Sequence, residues 1–122
     1  MMRPDLCELL LTIAAAATDA CAFAEGLTLD AFERLPSADP RTYRAIKNAL
    51  TELGEAVKSV PPEVCARYPE IDWRGLAGLR NIVVHRYFAL DLRRLWPVVL
   101  EELPVVLVAV QRELRRQGNE TP

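Results

Sequence analysis

A chain of 122 residues, about half of them apolar, is sized for one domain with one buried core, and no linker divides it. Its net charge of −2 argues against a protein that coats nucleic acid. Its strongest apolar run, Leu103 to Val110, is far shorter than the roughly 20 residues of a membrane span, and the early apolar stretch from Leu9 to Ala17 leads into more helix-forming sequence rather than a cleavage site, so a cytoplasmic protein without a membrane partner is expected.

No stretch alternates with the strand period, and five stretches carry apolar residues at helical spacing. The expected fold is therefore all-α, an up-and-down bundle of four to five helices. The first helix spans about Asp5 to Glu25, with Leu6, Leu10, Ile13, Ala17, Ala20 and Ala24 at helical spacing and Gly26 as its stop. A short second helix, from about Leu29 to Leu35, takes Thr28 as its cap and ends at Pro36. Asp39 and Pro40 supply the cap and first-turn proline of the third, whose stripe runs Tyr43, Ile46, Leu50, Leu53, Val57, Val60 before Pro61 and Pro62 stop it. Pro62 to Tyr68 can add a single turn. Asp72 caps a fourth helix from about Trp73 to Phe88, and Asp91 a fifth reaching about Gln117, which Pro97 and Pro104 should bend. Residues 1–122 form one domain in this reading, with 118–122 a frayed tail.

Cys7, Cys21 and Cys65 are odd in number and lack metal-ligand spacing. Cys7 and Cys21 lie on one helix about 21 Å apart, too far for a disulfide, so packed reduced thiols are expected. One histidine and scattered thiols make no metal site. Charge is uneven: residues 1–40 carry seven acids against Arg3 and Arg34, whereas Arg67, Arg74, Arg80, Arg86, Arg93 and Arg94 cluster around the single histidine, His85. Arginine suits bidentate phosphate contacts, although coding bias also explains an arginine-rich chain. Arg93 and Arg94 read most simply as a solvated face, and Gln111 to Gln117 as the polar end of the last helix.

On a wheel, the fourth helix is apolar over most of its circumference, with Leu76, Leu79, Ile82 and Val83 on one side and Trp73, Ala77, Val84 and Phe88 on another. A narrow arc holds Arg74, Gly78, Asn81 and His85. Asn81 and His85 are stacked neighbours, and Gly78 leaves space for a substrate or a second helix. Arg80 lies about 140° from His85 on an ideal helix, so the two share no face. Either the arginine bends round, the helix departs from ideal geometry, or a second subunit supplies complementary groups. Arg80 also sits among apolar neighbours, and a buried guanidinium needs an anionic or hydrogen-bonded partner, with Glu52 and Glu55 on the third helix the candidates.

The string Trp73-x-x-x-Ala77-Gly78-Leu79-Arg80-Asn81-x-x-x-His85-x-Tyr87-Phe88-x-x-Asp91, with Trp96 and Leu103-Pro104 downstream, resembles the HepT family of HEPN toxins, whose signature is RxxxxHxY. Leu53-Gly54-Glu55-Ala56-Val57-Lys58 resembles that family's third helix. The likeness covers the whole chain in length and helix order and is sharpest from residue 73 to 104. It implies a HEPN fold and a toxin that is a metal-independent RNA endonuclease. Its chemistry would be attack of a 2′-hydroxyl on the adjacent phosphorus, with His85 carrying a proton, Arg80 holding the phosphate, and Asn81 orienting His85 or a phosphate oxygen. Glu55 and Gly78 are possible supports, and Arg74 and Arg86 possible RNA contacts.

One histidine per chain cannot be acid and base in the same step. A homodimer that faces two fourth helices would bring two His85 and two Arg80 side chains to one cleft. The resemblance also implies that Tyr87 accepts AMP from ATP, transferred by a nucleotidyltransferase antitoxin, MntA, so that ATP is the partner's cofactor and this chain needs none. AMP would place bulk and negative charge beside the cleft and repel RNA. Two other readings stand beside this one: a non-catalytic helical binding partner that serves only as AMP acceptor, and a structural four-helix adaptor.

Overall fold

The computed structural model describes residues 4–85 and 92–119, with the backbone alone of Pro4, Val84, His85 and Asn119. Its helices in chain order are α1 (Pro4–Ala24), α2 (Leu29–Ala38), α3 (Pro40–Val57), α4 (Pro62–Arg67), α5 (Trp73–Ala77), α6 (Leu79–His85), α7 (Leu92–Pro97) and α8 (Leu103–Asn119), and a π-helical turn, Val98–Glu102, joins the last two. No strand occurs among the described residues. The expected all-α bundle with a bent C-terminal helix is what forms.

The apolar stripes decide the packing. Leu6, Leu10, Ile13, Ala17, Ala20 and Ala24 are all buried, which seats α1 between α3 and α8. By length and composition Asp5–Ala24 is long enough to cross a membrane, a property the sequence reading did not assign to it. In the fold its stripe meets Ile46, Leu50 and Leu53 of α3 and Leu103, Val106 and Val110 of α8 in one core. The opposite flank of α3 receives α5 and α6. α2 bridges α3 and α7, where the Phe32 and Trp96 rings lie 5.0 Å apart and the Arg93 Nε donates to Glu33 at 3.2 Å.

Three helix ends differ from expectation. α2 does not stop before Pro36 but runs through it to Ala38. The proline has no N–H for the Phe32 carbonyl, yet the helix buries Phe32 and Leu35, each worth about 1.5–3 kcal/mol, and the Asp39 N–H closes its end on the Leu35 carbonyl at 2.9 Å. α3 ends at Val57, because Pro61 disfavours helical backbone at Val60. The Ser59 and Val60 N–H groups instead tighten the exit by reaching Ala56 and Val57, each at 3.1 Å, and Val60 stays buried. The expected fourth helix is broken at Gly78 into α5 and α6.

The bend of the last helix has the expected origin. Pro97 closes α7 and Pro104 lies in the first turn of α8. A proline ring clashes with the carbonyl four residues earlier, here Leu100, and the widened turn between the prolines relieves this, with the Leu103 N–H reaching the Val98 carbonyl. The three cysteines are free and half-buried, as read. Cys21 Sγ lies 3.8 Å from the Val99 carbonyl and Cys65 Sγ 3.9 Å from that of Val60, and burial pushes both thiols up in pKa.

The end of α8 is not simply polar. Glu113, 1% exposed, and Gln117 are buried within it. Arg67 donates to both Glu113 oxygens, Nε at 3.0 Å and Nη2 at 2.7 Å, while the Tyr68 hydroxyl donates at 3.0 Å and Gln117 Nε2 at 2.7 Å. This cluster ties α4 to α8, and the Trp73 indole N–H on the Tyr68 carbonyl, 3.1 Å, carries the tie to the start of α5. Burial opposes the Glu113 charge, but donors from Arg67, Gln117 and Tyr68 outweigh it and hold the carboxyl below its usual range.

Candidate active site

The Asp72 carboxylate accepts from the Gly75 N–H at 3.0 Å and starts α5, as a capping aspartate should. Only five residues follow before Gly78, whose N–H reaches back to the Arg74 and Gly75 carbonyls at 3.1 and 3.2 Å. α6 restarts at once, with the Asn81 and Ile82 N–H groups on the Gly78 carbonyl. The break separates Arg74, on α5, from Asn81 and His85, on α6, so the arc of one continuous wheel is not one helix surface. A side chain added at Gly78 would touch only the Arg74 and Gly75 carbonyls, so space beside it is open among the described residues.

Ile82 corrects the wheel more directly. It was placed with Leu76, Leu79 and Val83, which are buried, but it is 41% exposed. Within the described fold α6 packs mainly on α3, which leaves Ile82 at the edge of its buried arc. Asn81, beside Ile82, is exposed, and so is Arg74. A groove next to these residues is lined by Leu76, Leu79, Ile82, Leu95 and Val98, with Arg94 and Glu102 among its charged members.

Arg80 has the kind of partner the sequence required. Of the two candidates it takes Glu55, with Nε 2.5 Å from Oε1. The guanidinium is not deeply buried among apolar groups, as the wheel suggested: 39% of the side chain is exposed. The same Glu55 oxygen lies 3.7 Å from Lys58 Nζ. Glu52 is exposed.

What brings Glu55 to Arg80 is its neighbour Gly54. A Cβ on Gly54 would lie 3.0 Å from the Arg80 backbone nitrogen and 3.1 Å from the Leu76 carbonyl oxygen, so α3 and the α5–α6 junction touch backbone to backbone. Sequence reasoning did not single out this role. The available signal was a glycine inside the best apolar stripe of the chain, where it lowers helix stability by about 1 kcal/mol relative to alanine and so points to a close approach.

Not all of the arginine cluster faces solvent as open charge. Arg67 is held by Glu113, Arg80 by Glu55 and Arg93 by Glu33. Of the remaining expected site residues, His85 contributes its backbone to the end of α6 and its side chain lies outside the described residues, as do Arg86, Tyr87, Phe88 and Asp91. Arg80, Asn81, Glu55 and Gly78 are therefore gathered at one junction. Among the described residues no three His, Cys, Asp or Glu side chains converge on one point.

A family model described as "Ribonuclease HepT-like" matches residues 13–113. A Methanocaldococcus jannaschii protein named as a candidate RNase is 31% identical over 104 residues, which are 85% of this chain and 83% of that protein. A candidate ribonuclease HepT of Thermococcus cleftensis is 41% identical over 66 residues, 54% of this chain and 60% of that protein. A candidate RNase of Caldanaerobacter subterraneus is 33% identical over 79 residues, 65% and 70% of the two chains. No solved structure matches the chain.

Proposed function

The chain belongs to the Ribonuclease HepT-like family, and from that premise we propose that it is a metal-independent RNA endonuclease, the toxin of a toxin–antitoxin pair. The observation that carries the reading is Arg80, a half-exposed guanidinium on α6 fixed by Glu55, five residues before the only histidine of the chain. In the reaction the RNA 2′-oxygen loses its proton and bonds to the adjacent phosphorus. The bond to the 5′-oxygen then breaks, that oxygen takes a proton, and the products are a 2′,3′-cyclic phosphate and a 5′-hydroxyl. No metal or cofactor of this chain is needed for that balance. His85 carries a proton, Arg80 stabilises charge on the phosphorane, and Asn81 orients His85 or a phosphate oxygen. Arg74 and Arg86 contact RNA further out.

Both proton transfers in one turnover call for two histidines, and a twofold dimer through α6 supplies them. The exposed Ile82, next to Asn81 and beside the apolar groove, is the kind of side chain such an interface covers. Control of the toxin falls to a nucleotidyltransferase antitoxin of the MntA kind. The Tyr87 oxygen attacks the α-phosphorus of ATP, pyrophosphate leaves, and AMP remains on the tyrosine, which closes the cleft to RNA.

Purified protein should cut RNA in the presence of a chelator, leave cyclic phosphate ends, and lose this activity in Arg80→Ala and His85→Ala. In bacteria the wild type should arrest growth and both variants should not. Protein that is harmless in every form, yet takes AMP on Tyr87, would make the chain a binding partner and AMP acceptor instead. Unchanged AMP incorporation in Tyr87→Phe would remove the tyrosine from the reading.

A further inference from the structure

Glu55 gathers two cations on one carboxylate oxygen. Arg80 Nε approaches Oε1 to 2.5 Å and Lys58 Nζ to 3.7 Å. All three side chains are partly open to water, 39% for Arg80, 44% for Lys58 and 49% for Glu55, so a polyanion meets the cluster as a surface of net charge +1. The two ion pairs differ in kind. That of Arg80 is short and spans two helices, whose backbones are locked together at Gly54. That of Lys58 is long, exposed and local to the end of α3, a class of pair that contributes little and exchanges readily.

We propose that Lys58 is a second phosphate-binding residue, free to leave Glu55 for the phosphate next to the one held by Arg80, and that Glu55 is the positioning residue that fixes Arg80. This rests on the ribonuclease reading of Arg80. The scale is right, because cations that share one carboxylate oxygen lie no further apart than neighbouring phosphates of a nucleic-acid strand. The placement is right as well. Lys58 directly follows α3 and meets the same Glu55 oxygen as Arg80, so its ammonium and the Arg80 guanidinium stand side by side although they come from different parts of the chain. The backbone that carries Lys58 is also restrained on its C-terminal side. The tightened turn at Ser59 and Val60 leads straight into Pro61 and Pro62, which restrict the backbone that follows it.

The test measures binding and cutting separately. Binding is followed by the fluorescence anisotropy of a short single-stranded RNA whose 2′-hydroxyls are all methylated, so that it cannot be cut, at several salt concentrations. Lys58→Gln should weaken binding and lower the slope of log affinity against log salt by about 0.7, the value for one phosphate contact on a single strand, while Lys58→Arg keeps the slope. Glu55→Gln should bind this RNA more tightly than wild type, having lost a negative charge, and yet cut unmethylated RNA about ten- to a hundredfold more slowly at saturation, because Arg80 is no longer held. A merely structural Glu55 would not separate the two effects.

An unchanged salt slope in Lys58→Gln overturns the proposal for Lys58. Parallel loss of binding and cutting in Glu55→Gln overturns the positioning role. Neither result touches the ribonuclease reading, which fails if the purified wild type does not cut RNA or if Arg80→Ala cuts as well as wild type.

Discussion

At the scale of single residues, the two most informative ion pairs of the molecule behave oppositely. Arg80 with Glu55 is half-exposed, so breaking it should hardly alter stability, within about 0.5 kcal/mol. Its loss should appear in chemistry instead. Arg80→Ala is expected to lower kcat about 10²- to 10³-fold with an unchanged thermal midpoint, measured by single-turnover cleavage and circular dichroism on the same preparation. Arg67 with Glu113 is the reverse. Glu113 is 1% exposed, and Arg67→Met would leave its carboxylate uncompensated, a loss of about 3–5 kcal/mol in urea unfolding. That carboxylate also makes stability depend on pH. Its folded pKa is depressed, so its contribution is complete above the unfolded value, near 4.5, and disappears as pH falls through the lower folded value. Wild type should lose stability on acidification through this window more steeply than Glu113→Gln.

At the scale of elements, two glycines decide where α6 stands. Gly78 is where a helix legible from Trp73 onward divides, and its backbone is right-handed helical, so alanine fits there without strain. Gly54 has no such freedom, because a Cβ would press on the Arg80 nitrogen and the Leu76 carbonyl. Gly54→Ala should therefore destabilise by about 1–3 kcal/mol despite its better helix propensity, and should lower cleavage by displacing Arg80. Gly78→Ala should raise stability by up to about 1 kcal/mol, and a fall in cleavage alongside that gain would mean the open space beside Gly78 receives substrate or a second chain. Calorimetric melting and cleavage of the pair separate these outcomes. Element boundaries were legible where a cap or a stripe marks them: Thr28, Asp39 and Asp72 all accept from the backbone N–H groups expected of caps. They were less legible at Pro36 and Gly78, where local preference competes with packing against other helices.

At the scale of the whole molecule, one face of α6 is packed on α3 and another presents Asn81 and Ile82 to solvent. If two such faces meet in the active species, a charge at Ile82 should disperse it. Ile82→Asp is expected to sediment as a monomer and to lose cleavage with the dimer while keeping the helical circular dichroism of wild type, since Ile82 lies outside the buried core. A monomeric wild type with full activity would remove the dimer from the mechanism. By itself the sequence determined the all-α class, the buried stripes of α1 and α3 and the bend between Pro97 and Pro104, because periodicity, capping and proline geometry act within one helix, and it pointed Arg80 to a carboxylate through a burial that the fold supplies only in part. The tertiary structure decided which carboxylate it is, that α6 begins anew after Gly78, that Ile82 faces out, and that Glu113 is a buried anchor. Each of these depends on how close a second helix comes, and that distance is set by Gly54 and by the packing of α4 on α8, which no spacing along the chain encodes.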